Sequence, residues 1–363
     1  MTLSADPIVA VSQRMERFAG DRLAEADELG PDAVSFVRSA AETISGGKRL
    51  RARFCLTGWQ AVADAGGRSG ATAGADVVAA AGALEIFHAA ALVHDDIIDN
   101  SDTRRGRPAA HRALQAAHGA AGWTGPSAEF GRSAAILLGD LLVAWSDDLF
   151  EEGLREAAHA PSARAEYARM RRDVTVGQYL DIAEEAAAGS VPDEEHAARA
   201  LRVATFKSAR YSVQQPLTIG AALAGATAAQ RDALARFGLP LGLAFQLRDD
   251  VLGVFGDSAL TGKPSGDDLR EGKRTLLIAY ARETVAAGAR RTIDELLGDP
   301  TLNEQQIASL QRTIVDSGAL ERVEQLIARY ATEADRALSG AALDNAAVGA
   351  LRDLARAAIA RAA

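Results

Sequence analysis

Apolar residues recur along most of this chain three and four positions apart, within stretches rich in alanine, the strongest helix former. The pattern predicts helices over about 32–45, 74–99, 132–151, 161–187, 193–224, 227–255, 271–297 and 303–317, with more towards the C-terminus. No alternation of period two is sustained, and no Asn-Gly or Asp-Gly pair joins two apolar runs, so strands are not expected. Gly, Pro and Ser mark connectors at 65–73, 119–128, 188–192 and 256–267. Thr301 and Glu304, following Pro300, read as a capping box for the helix over 303–317. No connector is long or biased enough to be an interdomain linker, and no repeat sets the fold. The expectation is an all-α protein with one large helical domain over 1–363, its first twenty or so residues loose.

Composition adds exclusions. The 363 residues are 48% apolar and 25% charged, enough to bury a large core. A net charge of −9 disfavours nucleic acid and anionic membrane as partners. Met1 to Arg14 contains no apolar signal-peptide core, and no run reads as a membrane span. Cys55 is the single cysteine, which fits a reducing cytoplasm. Among 40 lysines and arginines only Lys48, Lys207, Lys263 and Lys273 are lysine. A coding bias towards arginine with four chance survivors would explain this. A requirement for a compact ammonium at those four positions explains it better, because each falls in a motif.

The first motif is Leu92-Val-His-Asp-Asp-Ile-Ile-Asp99, at the end of a strongly apolar helix. Asp95, Asp96 and Asp99 share one helical face and repel one another unless a cation lies among them. A solvated acidic helix end is the plain alternative, but the apolar flanks argue for burial, which isolated carboxylates do not tolerate. Hard oxygen ligands of this kind suit Mg²⁺. A second acidic set, Gln246-Leu-Arg-Asp249-Asp250, ends another apolar helix, and two such sets suggest a cavity with carboxylates on opposing walls. Cationic segments accompany them: Gly46-Gly-Lys-Arg-Leu-Arg51, Arg104-Arg-Gly-Arg107, Phe206-Lys-Ser208, Gly262-Lys-Pro264 and Glu271-Gly-Lys-Arg-Thr275. Each alone is an ordinary surface pattern. Together with the acidic sets they describe a site for a polyanion held partly by metal and partly by Lys and Arg, and diphosphate is the natural guest.

These segments resemble the trans-isoprenyl diphosphate synthases, or polyprenyl synthetases. The resemblance spans about residues 40 to 280 and rests on GGKRLR at 46–51, EIFHAAALVHDDIID at 85–99, RRGRP at 104–108, GQYLD at 177–181, FKSA at 206–209, FQLRDD at 245–250 and GKPSGDDLREGKRT at 262–275, in the family's order. It implies an isoprenoid synthase-like helical bundle with a central cavity. It implies a head-to-tail transferase that condenses an allylic diphosphate with isopentenyl diphosphate, and a cytoplasmic homodimer. Asp95, Asp96 and Asp99 match the first aspartate-rich motif, which holds Mg²⁺ on the allylic diphosphate, and Asp249 and Asp250 match the second; three ions are expected with substrate bound. Lys48, Arg51 and His88, helped by Arg105, match isopentenyl diphosphate ligands. Arg104, Lys207, Lys263 and Lys273 match allylic diphosphate ligands. Ser208 and Gln246 match groups facing the developing cation, and Gln178 and Asp181 match positions lining the allylic pocket. His94 is read as structural.

Three positions depart from the pattern. Gly253 stands where a third aspartate often completes the second motif, which puts the outer metal shell in doubt. Ser208 replaces the usual threonine, and Ala52 a common proline. The implied chemistry is ionisation, condensation and elimination, with the proton lost to the released diphosphate. A class I terpene cyclase would carry an Asn/Asp-Ser/Thr-Glu triad, and a squalene or phytoene synthase would carry paired Asp-x-x-x-Asp motifs. A regulatory subunit would lose an aspartate motif. None of these fits. Product length is read from the helix below Asp95. Ala91 and Ala90, one turn down, leave a path, and Phe87, about 5.4 Å lower, forms a floor, with Trp145 as a second candidate. Core packing of Phe87 away from the path is the alternative. The expected main product is geranylgeranyl diphosphate, with farnesyl or longer chains as the alternatives.

Overall fold

The computed structural model describes residues 6–65, 73–104, 106–187, 189–256 and 265–359. Among these the chain is helical apart from one two-residue hairpin, as the spacing of apolar residues implies. It divides into two compact units, one of Met1–Ala163 with Ile219–Gly225 and one of Arg164–Thr218 with Ala226–Ala363.

The first unit is built on α4 (Ala75–Ile98), which is buried along nearly its whole length. Around it pack α1 (Pro7–Ala26), α3 (Leu50–Ala63), α5 (Ala110–Ala120) and α6 (Ser127–Leu154), with α2 (Pro31–Thr43) against α1. Small residues set the closeness of α4 and α6: a Cβ at Gly153 would lie 2.8 Å from that of Ala79. The N-terminal stretch expected to be loose contains α1. Asp6 caps it by accepting from the Ile8 amide at 2.9 Å, Pro7 opens it, and Ala10, Val11, Met15, Phe18 and Ala19 are buried. Sequence patterning also passed over α3 and α5. Contrary to the sequence reading, α4 is long and apolar enough to cross a membrane, yet most of it is buried inside the protein, as in the core helix of a globular fold.

The second unit is built on α10 (Ala228–Phe255), which packs against α15 (Ala319–Ala337) and the segment Ala204–Gln214. Its core joins Leu243, Leu247, Val251 and Val254 of α10 to Leu276, Leu277 and Ile278 of α12 (Leu276–Thr284) and to Val323 and Ile327 of α15. α7 (Ala160–Ala187) is tied to α8 (His196–Val203) through buried Glu184. Its carboxylate accepts from Arg199 and lies 3.3 Å from His196 Nδ1.

Three expected elements differ. The helix over 193–224 is interrupted: α8 gives way to a π-helical stretch, Ala204–Gln214, before α9 (Gln215–Leu223). The helix over 271–297 is two pieces, α12 and α13 (Ala287–Leu296), preceded by a short separate helix, α11 (Asp267–Glu271). Gly272, at φ 79°, stops α11 as left-handed C-terminal glycines do, and extended Val285 and Ala286 separate the other two. The capping box before α14 (Glu304–Asp316) is formed by Asn303 and Gln306, each side chain bonded to the other's amide at 3.0 Å. Thr301 lies too far upstream and instead donates to Asp299 at 2.6 Å.

Candidate active site

In the first unit Asp95 and Asp96 lie in the last turn of α4, and Asp99 is its C-cap. The Asp99 amide bonds the Asp95 carbonyl at 2.8 Å and the Ser101 amide bonds that of Asp96 at 2.9 Å, so the backbone winds on past the helix end. Thr103–Arg104 then pairs with Arg107–Pro108, turning at Gly106 with φ 73°. This hairpin returns Arg104 to the helix end. Its Nε donates to Asp96 Oδ1 at 2.8 Å, its Nη2 contacts the same oxygen, and Nη2 lies 3.6 Å from Asp95. Asp96 is 4% exposed at its side chain and Asp95 22%. Burial pushes the Asp96 carboxyl above its usual range, Arg104 pulls it back, and Asp95 adds to the rise. Arg104 therefore claims Asp96, while Asp95 and Asp99 keep part of their surface in solvent.

The segment 46–51 follows α2 in a left-handed run: Gly46, Gly47 and Arg49 have φ of 71°, 91° and 52°. Two of these are free for glycine, and the third is anchored by Arg49 Nη2 donating to the Ile44 carbonyl at 3.0 Å. Lys48 is exposed, and Arg51 sits in the first turn of α3. Buried Glu85 of α4 accepts the Ala52 amide at 2.9 Å, which caps α3 and pins the loop. His88 is half-buried on α4. His94 Nε2 lies 3.1 Å from the Ile136 carbonyl, and its ring occupies the place of a Cβ on Gly139; it is structural. Ala90 and Phe87 are buried and Ala91 is partly so. Below them α1 and α6 close on α4: a Cβ at Gly82 would meet Met15 and Leu149 at 3.1 Å, and buried Trp145 packs edge-on against Phe18 at 5.9 Å.

In the second unit the π-helical stretch carries Lys207 and Ser208. Three glycines let helices press on its backbone. A Cβ at Gly177 of α7 would lie 2.7 Å from Lys207 Cα, one at Gly238 of α10 2.7 Å from Gln214 Cα, and one at Gly242 2.7 Å from Ala209 Cα. Gln178 follows Gly177 on α7, and one turn further on Asp181 is ion-paired with the Lys207 ammonium. π-helical turns of this kind recur at functional sites, where they re-aim side chains.

Two and a half turns from the end of α10, Gln246 Nε2 donates to Asp250 Oδ1, one turn further on, at 2.7 Å. Asp250 is buried, Asp249 half-buried. Burial pushes the Asp250 carboxyl up to about 8; Asp268 and Asp249 add repulsion, and Gln246 and Lys273 oppose it. Lys273 Nζ lies 2.5 Å from Glu271 and 3.4 Å from Asp268. Arg105 and Lys263 lie outside the described residues.

The model of the polyprenyl synthetase family matches residues 35–314. The chain belongs to that family. Among curated relatives, the geranylfarnesyl diphosphate synthase of Aeropyrum pernix is 33% identical over 81% of this chain and 84% of its own. The geranylgeranyl diphosphate synthase of Methanosarcina mazei is 31% identical over 80% and 78%. Among solved structures, the geranylgeranyl pyrophosphate synthase of Corynebacterium glutamicum, complexed with isoprenyl diphosphate and magnesium, superposes with a TM-score of 0.91 at 36% identity, and each chain is covered in full. This polyprenyl synthetase is accordingly a head-to-tail prenyltransferase with the all-α fold its motifs imply.

Two site features of the synthetase escaped the sequence. Glu85 stood inside a quoted motif without a role; a carboxylate in an otherwise apolar helix was the available signal. Asp268 likewise stood inside the quoted segment 262–275 without a role, and nothing in its local spacing relates it to Asp250. Among the described residues no three carboxylate, imidazole or thiol groups converge to cage a metal alone. The donors present are carboxylate oxygens in small sets, which suits an ion that completes its shell with phosphate oxygens.

Proposed function

We propose that this synthetase condenses an allylic diphosphate with isopentenyl diphosphate and stops mainly at geranylgeranyl diphosphate, using Mg²⁺, with three ions when substrate is bound. The observation carrying the length assignment is the order of side chains on α4: Asp95, then small Ala91 and Ala90, then buried Phe87, with Met15, Phe18 and Trp145 closing the first unit beneath. Support for the metal comes from the like-charged carboxylates, from the Asp250 carboxyl displaced to about 8, and from the magnesium in the Corynebacterium homologue.

Bound Mg²⁺ would offset charge on the diphosphate oxygens as they leave. Asp95, Asp96 and Asp99, and Asp249 and Asp250, are the residues assigned to hold it. Arg104, Lys207, Lys273 and Lys263 bind the allylic diphosphate, and the ion pairs of the first three keep those cations in place before charge develops. Lys48, Arg51 and His88, with Arg105, hold isopentenyl diphosphate. The allylic carbon–oxygen bond breaks, the isopentenyl double bond attacks the cation, and a proton passes to the released diphosphate. Ser208 and Gln246 face that cation, and Gln178 and Asp181 line the allylic pocket. Holding both reactants in register supplies much of the acceleration. We read the enzyme as a cytoplasmic homodimer.

Labelled isopentenyl diphosphate given with dimethylallyl, geranyl or farnesyl diphosphate, followed by mass analysis, should yield geranylgeranyl diphosphate from each primer. Ala91→Phe should shorten the main product to farnesyl diphosphate and Phe87→Ala should lengthen it. An active Ala91→Phe enzyme with an unchanged product would refute the length assignment.

A further inference from the structure

α7 holds the π-helical stretch by two carboxylates on one helix face. Asp181 pairs with Lys207, and eight positions earlier Asp173 reaches the far end of the stretch. A single oxygen, Asp173 Oδ2, accepts from Gln215 Nε2 at 2.9 Å and from Arg210 Nη1 at 3.3 Å. Gln215 is buried, and Asp173 and Arg210 are half-buried. Arg210 and Gln215 are five positions apart. On an α-helix such positions point in widely different directions. In a π-helix the backbone hydrogen bond joins i and i+5 and stacks them, and here the Gln215 amide does bond the Arg210 carbonyl. Asp173 therefore bridges the side chains of the same two residues that the π-helical backbone bond joins. Pro216 follows with no amide to donate, so the stretch ends one backbone hydrogen bond short. The Arg210 guanidinium also lies over the Phe206 ring, 4.4 Å from its centroid, and Phe206 immediately precedes Lys207.

We propose that Asp173 is a positioning residue for the condensation: it latches the last turn of the π-helical stretch and, through Arg210 and Phe206, sets the direction of Lys207. The two carboxylates of α7 then have different duties. An incoming allylic diphosphate competes with Asp181 for the Lys207 ammonium, so that grip is given up when substrate binds. The Asp173 grip faces no such competitor and keeps the stretch in its π-helical register while Lys207 turns to the phosphate. A carboxylate that takes one charged and one neutral donor suits this task, because charge-assisted hydrogen bonds are the stronger kind. The inference rests on the reading of Lys207 as an allylic diphosphate ligand, and the test separates the two.

In the full-length protein, Asp173→Ala should raise KM for the allylic diphosphate about tenfold, the scale of one lost hydrogen bond to a charged group, and leave KM for isopentenyl diphosphate unchanged. Without substrate, amide hydrogen exchange followed by mass spectrometry should quicken over 204–214 and stay at the parent rate in α4. Asp173→Asn keeps an oxygen acceptor and loses only the charge, so it should shift the same readouts less. Arg210→Ala should match Asp173→Ala, and the double variant should be little worse than either, because both changes remove one interaction. Glu166→Gln, on the same face two turns earlier, alters the α7 contact with Thr218 and should leave both KM values at the parent level. A parent-like allylic KM in Asp173→Ala, with that KM raised in Lys207→Ala, would overturn the latch and leave the Lys207 reading standing. An equal rise in both KM values, or a raised allylic KM in Glu166→Gln, would also overturn it, since general loosening of α7 would suffice. A parent-like allylic KM in Lys207→Ala would overturn that reading itself.

Discussion

The two acidic sets solve one electrostatic problem in different ways. In the first unit a regular helix end supplies all three aspartates within five residues, and a hairpin only a few residues on returns the arginine that neutralises Asp96. In the second, α10 supplies two aspartates, Asp268 arrives from α11, Lys207 rides on a π-helical stretch, and Asp181 comes from α7. The first set is local and needs ordinary helix geometry. The second is assembled from four segments and depends on glycines, at 177, 238, 242 and 253, that let those segments approach within the radius of a methyl group. Equivalent charge can thus be encoded as a contiguous motif or as scattered residues joined by packing, and the two are exposed to different substitutions.

The largest expected effect tests whether the sets are equivalent in function. Asp95→Ala and Asp249→Ala should each lower turnover by on the order of 10²-fold or more, the scale seen when one preorganised electrostatic group is removed. The far-ultraviolet circular dichroism should not change. Steady-state turnover with saturating diphosphates checks it. If one variant keeps near-parent activity, only one set serves the reaction and the comparison fails.

Legibility followed the same division. The helices with strong apolar periodicity, α4, α6, α7 and α10, lie within a few residues of their expected spans, because their pattern and their burial agree. The first acidic set was readable since i, i+3 and i+4 spacing alone places its members on one face. The second was readable only up to Asp250. Asp268 depends on a contact between segments, and the π-helical stretch depends on close backbone packing at Gly177, Gly238 and Gly242, neither of which leaves a periodic trace. The breaks at Gly272 and at Val285 differ in the same way: a glycine C-cap is a local signal, whereas extended Val285 has none.

A smaller effect should expose the packing on which the second set depends. Gly177→Ala brings a methyl group within 2.7 Å of Lys207 Cα, a backbone atom that cannot rotate away. Overpacking of this kind costs about 1–3 kcal/mol, so the thermal midpoint should fall. Turnover should fall as well, because the segment bearing Lys207 must shift. Gly119→Ala on α5, where nothing lies within 4 Å, is the control and should gain about 0.5–1 kcal/mol from helix propensity. Differential scanning calorimetry with parallel kinetics checks both. Equal midpoints for Gly177→Ala and the parent would mean that α7 tolerates the methyl group and that the close pass is incidental.

The smallest expected effect probes a long-range carboxylate of the first unit. Glu85 is buried, 33 positions from the Ala52 amide it accepts at 2.9 Å, and it holds the N-terminus of α3, whose first turn carries Arg51. Glu85→Gln retains an oxygen acceptor but gives up the charge that favours a helix N-terminus, an effect of about 0.3–1 kcal/mol. That loss corresponds to a few-fold change in an equilibrium constant. It should appear as a few-fold higher KM for isopentenyl diphosphate, with kcat and the allylic KM near the parent values, because the loop bearing Lys48 and Arg51 is displaced while Asp95, Asp96 and Arg104 are untouched. Glu85→Ala leaves the buried amide without its acceptor and should add about 1–3 kcal/mol of destabilisation. The split between the two Michaelis constants is the deciding readout. If Glu85→Gln raises both equally, Glu85 supports the whole of α4 rather than the 46–51 loop. The first unit would then share the long-range dependence of the second, and the contrast between local and assembled charge would narrow to the aspartates alone.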